Sequence, residues 1–203
     1  SSEAFNNGEY KEVPSVSGMA NYMFGDKMDG MLNGADVLQQ QNLGIAAYYK
    51  PGVMLYMLRN EVLGAERFDR ALKEYVKRWA FKHPTPWDFF HTIENVAGED
   101  LNWFWRSWAL NTWKFDVAVK EVGAIKNGTM ITLQLLEKMP MPLTVKVVDV
   151  NGDEQLIKLP VEVWQRGDTW SFPVQTKAAV KEVVVDPEQR LPDMDRGNNS
   201  WKK

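Results

Sequence analysis

Only two histidines, His83 and His91, occur in this sequence, and imidazole is the side chain to question first because it is the commonest metal ligand. Neither lies in a His-Glu-x-x-His pattern, so no pair of ligands one helical turn apart encloses a general base. His83 precedes Pro84 at a helix end and reads as a cap for carbonyls. His91 falls inside a helix and reads as a surface or packing residue, and a His83–His91 metal pair lacks a third ligand. The absence of cysteine excludes a thiol nucleophile, a disulfide framework, an iron–sulfur cluster and a cysteine zinc site. No Gly-x-Ser-x-Gly elbow or phosphate-cradling loop is present. Gly152-Asp153-Glu154 and Asp186-Pro187-Glu188 pair carboxylates in or beside turns, where these residues shape the backbone rather than move protons. By composition alone Tyr48, just ahead of a helix, is a packed tyrosine with a satisfied hydroxyl.

The elements that must carry these residues change character near Thr112. Before it the apolar spacing is helical. Pro51 to Gly64 predicts a helix with Val53, Met54, Met57, Leu58 and Val62 on one face. Phe68, Ala71, Leu72, Tyr75, Val76 and Trp79 recur at steps of three and four, and His83-Pro84 ends that helix. Thr85-Pro86-Trp87-Asp88 predicts a capped start for a third helix reaching Gly98. A fourth begins near Glu99-Asp100 and presents Leu101, Phe104, Trp105 and Trp108. Residues 1–44, with Met19, Met23, Met28 and Met31, read as loops with short helical turns whose methionines fill gaps in a neighbouring core.

After Thr112 the period is that of strands. Phe115 to Ile125, Thr129 to Leu136, Leu143 to Val150, Glu154 to Val163, Trp170 to Val174 and Val180 to Val185 predict six strands. Asn127-Gly128, Asn151-Gly152 and Arg166-Gly167-Asp168 supply the turns, and the polar tail from Pro192 is expected to fray. The fold class is therefore α+β: a helical part over residues 1–112, then a small antiparallel β-sandwich over residues 113–203.

Composition bounds the function. At 44% hydrophobic and 25% charged, the chain can fill a core and is not of a disordered type. A net charge of −3 without a basic block gives no nucleic-acid surface. No stretch approaches the roughly 20 apolar residues of a membrane span. Ser1 to Gly8 lacks the pattern of a signal peptide, and the missing initiator Met hints at a start inside a longer protein or at a cloning scar. A soluble chain is expected; its compartment stays open, with an exported parent as one reading.

Ala47-Tyr48-Tyr49-Lys50-Pro51-Gly52 followed by an apolar helix resembles a segment of the aminopeptidase-N-like zinc metallopeptidases, part of the gluzincins, where a Tyr-x-Lys-Gly-like sequence precedes a catalytic-domain helix. Pro51 stands here in the usual Gly place, as in bacterial branches of that family. The stretch from Arg59 to Asp69, Thr85 to Phe90 and Leu101 to Trp108 resemble the helices that follow. Val185-Asp186-Pro187-Glu188 with Asp193-Met194-Asp195-Arg196 resembles the close of the next β-sandwich. In order and spacing the resemblance covers residues 40–196.

The resemblance implies the C-terminal part of a zinc aminopeptidase, acting on peptides. In the family a His-Glu-x-x-His helix and a downstream Glu hold zinc, and a tyrosine donates to the oxyanion of the tetrahedral intermediate, an interaction worth on the order of 3 kcal/mol. Tyr48 is the position that matches that tyrosine. Zinc is expected in the full-length parent and not in this chain, which alone is expected to be inactive. The implied partners are a peptide substrate and the upstream zinc-bearing part of the parent. Without the latter, apolar residues near Met54 and Trp105 are expected to lose their cover and allow weak self-association. Two other readings remain: an interaction module built on the Met-rich N-terminal segment, and a carbohydrate-binding sandwich using Trp164 and Trp170.

Overall fold

The computed structural model describes residues 16–203 apart from residues 26 and 35; the reading of residues 1–15 lies outside the described residues. A short helix α1 (Ala20–Met23) leads, through loops, to a π-helical turn, Ile45–Tyr49. Helix α2 (Lys50–Met57) follows without a break and relaxes into a second π-helical stretch, Leu58–Val62. The predicted single helix from Pro51 is thus an α-segment between two π-segments. Pro51 follows directly on the π-helical turn, in which the Lys50 N–H bonds five residues back to the Ile45 carbonyl, so the residue that lacks an N–H stands where the α-helical hydrogen-bond pattern is already interrupted.

Gly64, at φ 80°, breaks the chain direction before α3 (Ala65–Trp79). That helix buries Phe68 and Ala71, while Val76, expected on the same face, is 57% exposed. Helix α4 (Pro86–Ala97) starts with the predicted capping box: Thr85 accepts from the Asp88 N–H, and Asp88 accepts the Thr85 N–H at 2.8 Å. Gly98 ends it in the left-handed region at φ 67°. Helix α5 (Asn102–Trp108) is tied back by Glu94, whose Oε1 accepts the Leu101 N–H at 3.0 Å and the Trp105 indole N–H at 3.2 Å. The aromatic residues Phe104, Trp105 and Trp108 are all buried, with Phe90 stacked on Trp105 at 4.4 Å between ring centres.

The rest is a β-sandwich. One sheet has the order β1 (Val117–Ile125), β2 (Gly128–Leu135), β5 (Thr169–Val174). The other has the order β4 (Glu154–Leu159), β3 (Leu143–Asp149), β6 (Val180–Val185), β7 (Ser200–Lys202), and all pairings are antiparallel. A bulge between Val119 and Glu121 keeps Val117, Val119 and Val122 opposite Leu135, Leu133 and Ile131, which holds all three valines on one face. The first hairpin turns at Lys126-Asn127, one residue before the Asn-Gly pair expected to form it. Gly128 is needed in the strand instead: a Cβ there would lie 2.1 Å from the Val174 carbonyl oxygen.

Two strand-end expectations fail. The fourth strand stops at Leu159, because Pro160 starts a 3-10 turn, Val161–Trp164. The tail does not fray. Asp193, 3% exposed, accepts the Val117 N–H at 3.2 Å and the Asn199 side-chain amide at 3.0 Å, and the chain returns as β7 along β6. Burial pushes the Asp193 carboxyl above its usual range. One apolar cluster runs from Phe24 and Met57 through Phe104 and Trp108 to Phe115, Ile131, Val145 and Val183, so helices and sandwich share a core.

Candidate functional site

The π-helical turn sets Tyr48 and Lys50 on opposite sides of the chain. Tyr48 is 78% exposed, whereas Lys50 is 1% exposed. Gly52 and Tyr56 continue the Tyr48 face at steps of four, and both are exposed. A Cβ on Gly52 would meet nothing within 4 Å, so the described residues leave that face open. Val53, Met54 and Met57 continue the Lys50 face into the core.

Lys50 is a charged group in an apolar setting. Its Nζ donates to the Asn111 carbonyl at 3.2 Å and stands 5.1 Å from the centre of the Phe24 ring. Burial lowers its pKa from 10.5 to about 8. The hydroxyl of Tyr49, between the two, is buried with no hydrogen-bond partner among the described residues, and burial raises its pKa. Helix α1 packs against this turn, which Phe24 and Met23 back from within the core.

His83 and His91 are both exposed, one in the α3–α4 turn and one on α4. Among the described residues no group of three or more His, Asp or Glu side chains is placed to hold a metal ion. The described residues supply no ligand set for zinc. Of the paired carboxylates, Asp186 accepts the Arg190 and Leu191 N–H groups and pairs with Arg196 at 2.8 Å, while the turn that carries Asp153 and Glu154 is held by Asp149, whose carboxylate accepts the Asn151 and Asp153 N–H groups. A cleft of about 670 Å3 between α5 and the Val161–Trp164 turn is walled by Trp103, Trp164 and Glu162 and does not include Tyr48.

Several expected surfaces are not there. Met54 and Trp105 are 4% and 3% exposed, both within the shared core, and Phe90 of α4 stacks on Trp105. Large apolar side chains that are exposed include Tyr22, Val37, Tyr48, Val76, Phe81 and Leu156. Trp164 and Trp170 make no platform for a sugar: Trp164 is buried with its indole N–H on the Met141 carbonyl, and Trp170 lies across from Leu133.

The model of the Peptidase family M1 domain matches residues 32–108, the stretch that holds Tyr48, Lys50 and the helices around them. Over this stretch, a little more than a third of the chain, the sequence is similar to that family's domain. Two curated relatives, Aminopeptidase M1-C and Aminopeptidase M1-D of Oryza sativa subsp. japonica, are each 32% identical, over 63 and 60 residues. The aligned stretches cover 31% and 30% of this chain and 7% of each rice protein. Among solved structures, aminopeptidase A of Legionella pneumophila, in complex with aspartic acid, superposes with a TM-score of 0.53 at 18% identity, over 73% of this chain and 17% of that one. That likeness is one of fold, and it extends beyond the M1 segment into the sandwich. The chain thus spans a small part of its M1 relatives.

The buried Lys50 was not among the candidates drawn from the sequence, because lysine is almost never fully buried. A signal was available: Lys50, Val53, Met54 and Met57 are spaced i, i+3, i+4 and i+7, which puts the lysine on the apolar face.

Proposed function

We propose that this chain is part of a zinc aminopeptidase that removes N-terminal residues from peptides, and that it contributes Tyr48 as a hydrogen-bond donor to the oxyanion formed on the scissile carbonyl. The zinc and the general base would come from a part of the longer protein outside these 203 residues. The observation that carries the reading is the phenol of Tyr48, held in solvent on a π-helical turn inside the M1 segment, with its backbone fixed from behind by a buried core. π-Helical turns cost hydrogen-bond geometry and recur at functional sites. A phenol so placed can meet a substrate only if another surface closes over it, and the open face Tyr48–Gly52–Tyr56 suits that role.

In this reading the upstream part covers the open face, and the chain alone self-associates weakly through it. The division at residue 112 then separates the part that lines the cleft from a supporting sandwich. The test is an aminoacyl-anilide assay of the chain expressed with its zinc-bearing part, with Tyr48→Phe beside the wild type. The phenylalanine variant should lose about 100- to 1000-fold in kcat, the cost of one oxyanion donor. Activity within about twofold of wild type would remove Tyr48 from the reaction.

A further inference from the structure

We infer that Lys50 is a positioning residue for Tyr48: its ammonium, pinned to the Asn111 carbonyl behind the π-helical turn, fixes the rotation of that turn and so the direction in which the phenol points. This rests on the proposed role of Tyr48.

Three observations carry it. First, Lys50 is charged, yet it stands 1% exposed among Phe24, Val53, Met54 and Met57, where a methionine or leucine would pack without desolvating an ion. A residue that costs stability in this way is explained when it specifies one arrangement among several. Second, its contacts are directional and come from distant parts of the chain. The hydrogen bond reaches Asn111, 61 residues on, at the connection between α5 and the sandwich, and the ring of Phe24 lies just after α1. The lysine therefore ties the turn to two other elements at once. Third, the tether acts where the backbone is least self-determined. Ile45–Tyr49 is a π-helical turn, with the Lys50 N–H reaching back to the Ile45 carbonyl, and neither flank, Gly44 nor Lys50, has a side-chain cap, so the register of the turn is open to a tertiary anchor. Because Tyr48 and Lys50 face opposite sides, a few degrees of rotation at the lysine become a displacement at the phenol oxygen. A misplacement of about 1 Å at a reacting group costs on the order of 100-fold in rate.

The experiment uses the enzyme carrying its zinc-bearing part, in four forms: wild type, Lys50→Met, Tyr48→Phe and the double variant. Thermal unfolding is followed in parallel. Lys50→Met should lower kcat by at least about tenfold with KM little changed, and should cost less than about twofold when Tyr48 is already phenylalanine. Equal losses in both backgrounds, or no loss, would overturn the positioning role. A normal rate for Tyr48→Phe would instead overturn the role of Tyr48 itself. Amide hydrogen exchange on the 203-residue chain reads the positioning without any activity: Lys50→Met should speed exchange at Tyr48 and Tyr49 by about tenfold while α3 stays protected, and unchanged exchange would sink the inference. Should Lys50→Met not fold, Lys50→Gln keeps a donor for Asn111 and should fall between wild type and Tyr48→Phe in kcat; a wild-type rate and wild-type exchange would again refute it.

Discussion

Gly52 lies one turn beyond Tyr48 on the same exposed face, and the space where its side chain would stand is empty. A glycine inside a helix costs roughly 0.5–1 kcal/mol against alanine, and no neighbour in this chain requires it. Gly52→Ala should therefore stabilise the isolated chain by that amount, as read by urea denaturation. In the longer enzyme the same change should raise KM or lower kcat if another surface closes on this face. A destabilised isolated chain would mean that the glycine serves the helix itself.

Lys50 gives a pH dependence with a definite sign. Its folded pKa of about 8 lies below the ordinary 10.5, so between those values the unfolded chain holds one more proton than the folded one. Stability then rises with pH across that window, by up to about 3 kcal/mol, and the full penalty is present below pH 8. Denaturation of wild type and Lys50→Met at successive pH values should give curves that converge as the pH rises through this window. Parallel curves would show that water reaches the ammonium.

Asp193 holds the tail through three hydrogen bonds, from the Val117 N–H, the Asp195 N–H and the Asn199 side-chain amide. Asp193→Ala leaves the buried Val117 N–H without its acceptor and the Asn199 amide with only the Val117 carbonyl, and should cost roughly 2–4 kcal/mol. Hydrogen exchange should locate the loss in β7 and in the first residues of β1. A loss below about 0.5 kcal/mol would mean that the tail adds little to the fold.

Phe81 sits at φ 60°, a backbone region that a bulky side chain adopts at a cost of about 1 kcal/mol, and its side chain is 106% exposed. Phe81→Gly should therefore leave thermal stability unchanged or raise it. A clear drop in melting temperature would show that the ring has a partner.

Much of the helical part was legible because its signals are local. The Thr85–Asp88 capping box and the Gly98 stop are readable in four residues, and the Phe68–Trp79 spacing needs one helix. The strands were legible by alternation, as in Ile131, Leu133 and Leu135. What failed depends on residues far apart. The tail forms a strand because Asp193 and Asn199 meet Val117, 76 and 82 positions away. The burial of Met54 and Trp105 likewise depends on how the helices pack together. Trp164 could not be told from a binding-surface tryptophan until the Met141 carbonyl was seen to take its indole proton. At the site, the exposure of Tyr48 and the burial of Lys50 follow from the rotation of one turn, which periodicity hints at but a π-helical segment displaces.

The returning tail also guards the sheet. Without β7, strand β6 would become an edge, and its run Val183-Val184-Val185 would offer unpaired backbone groups flanked by β-branched side chains. A protein cut a few residues before Ser200 would thus do more than lose a terminus: it would expose a template for strand-by-strand aggregation, and its failure in expression would say nothing about Tyr48.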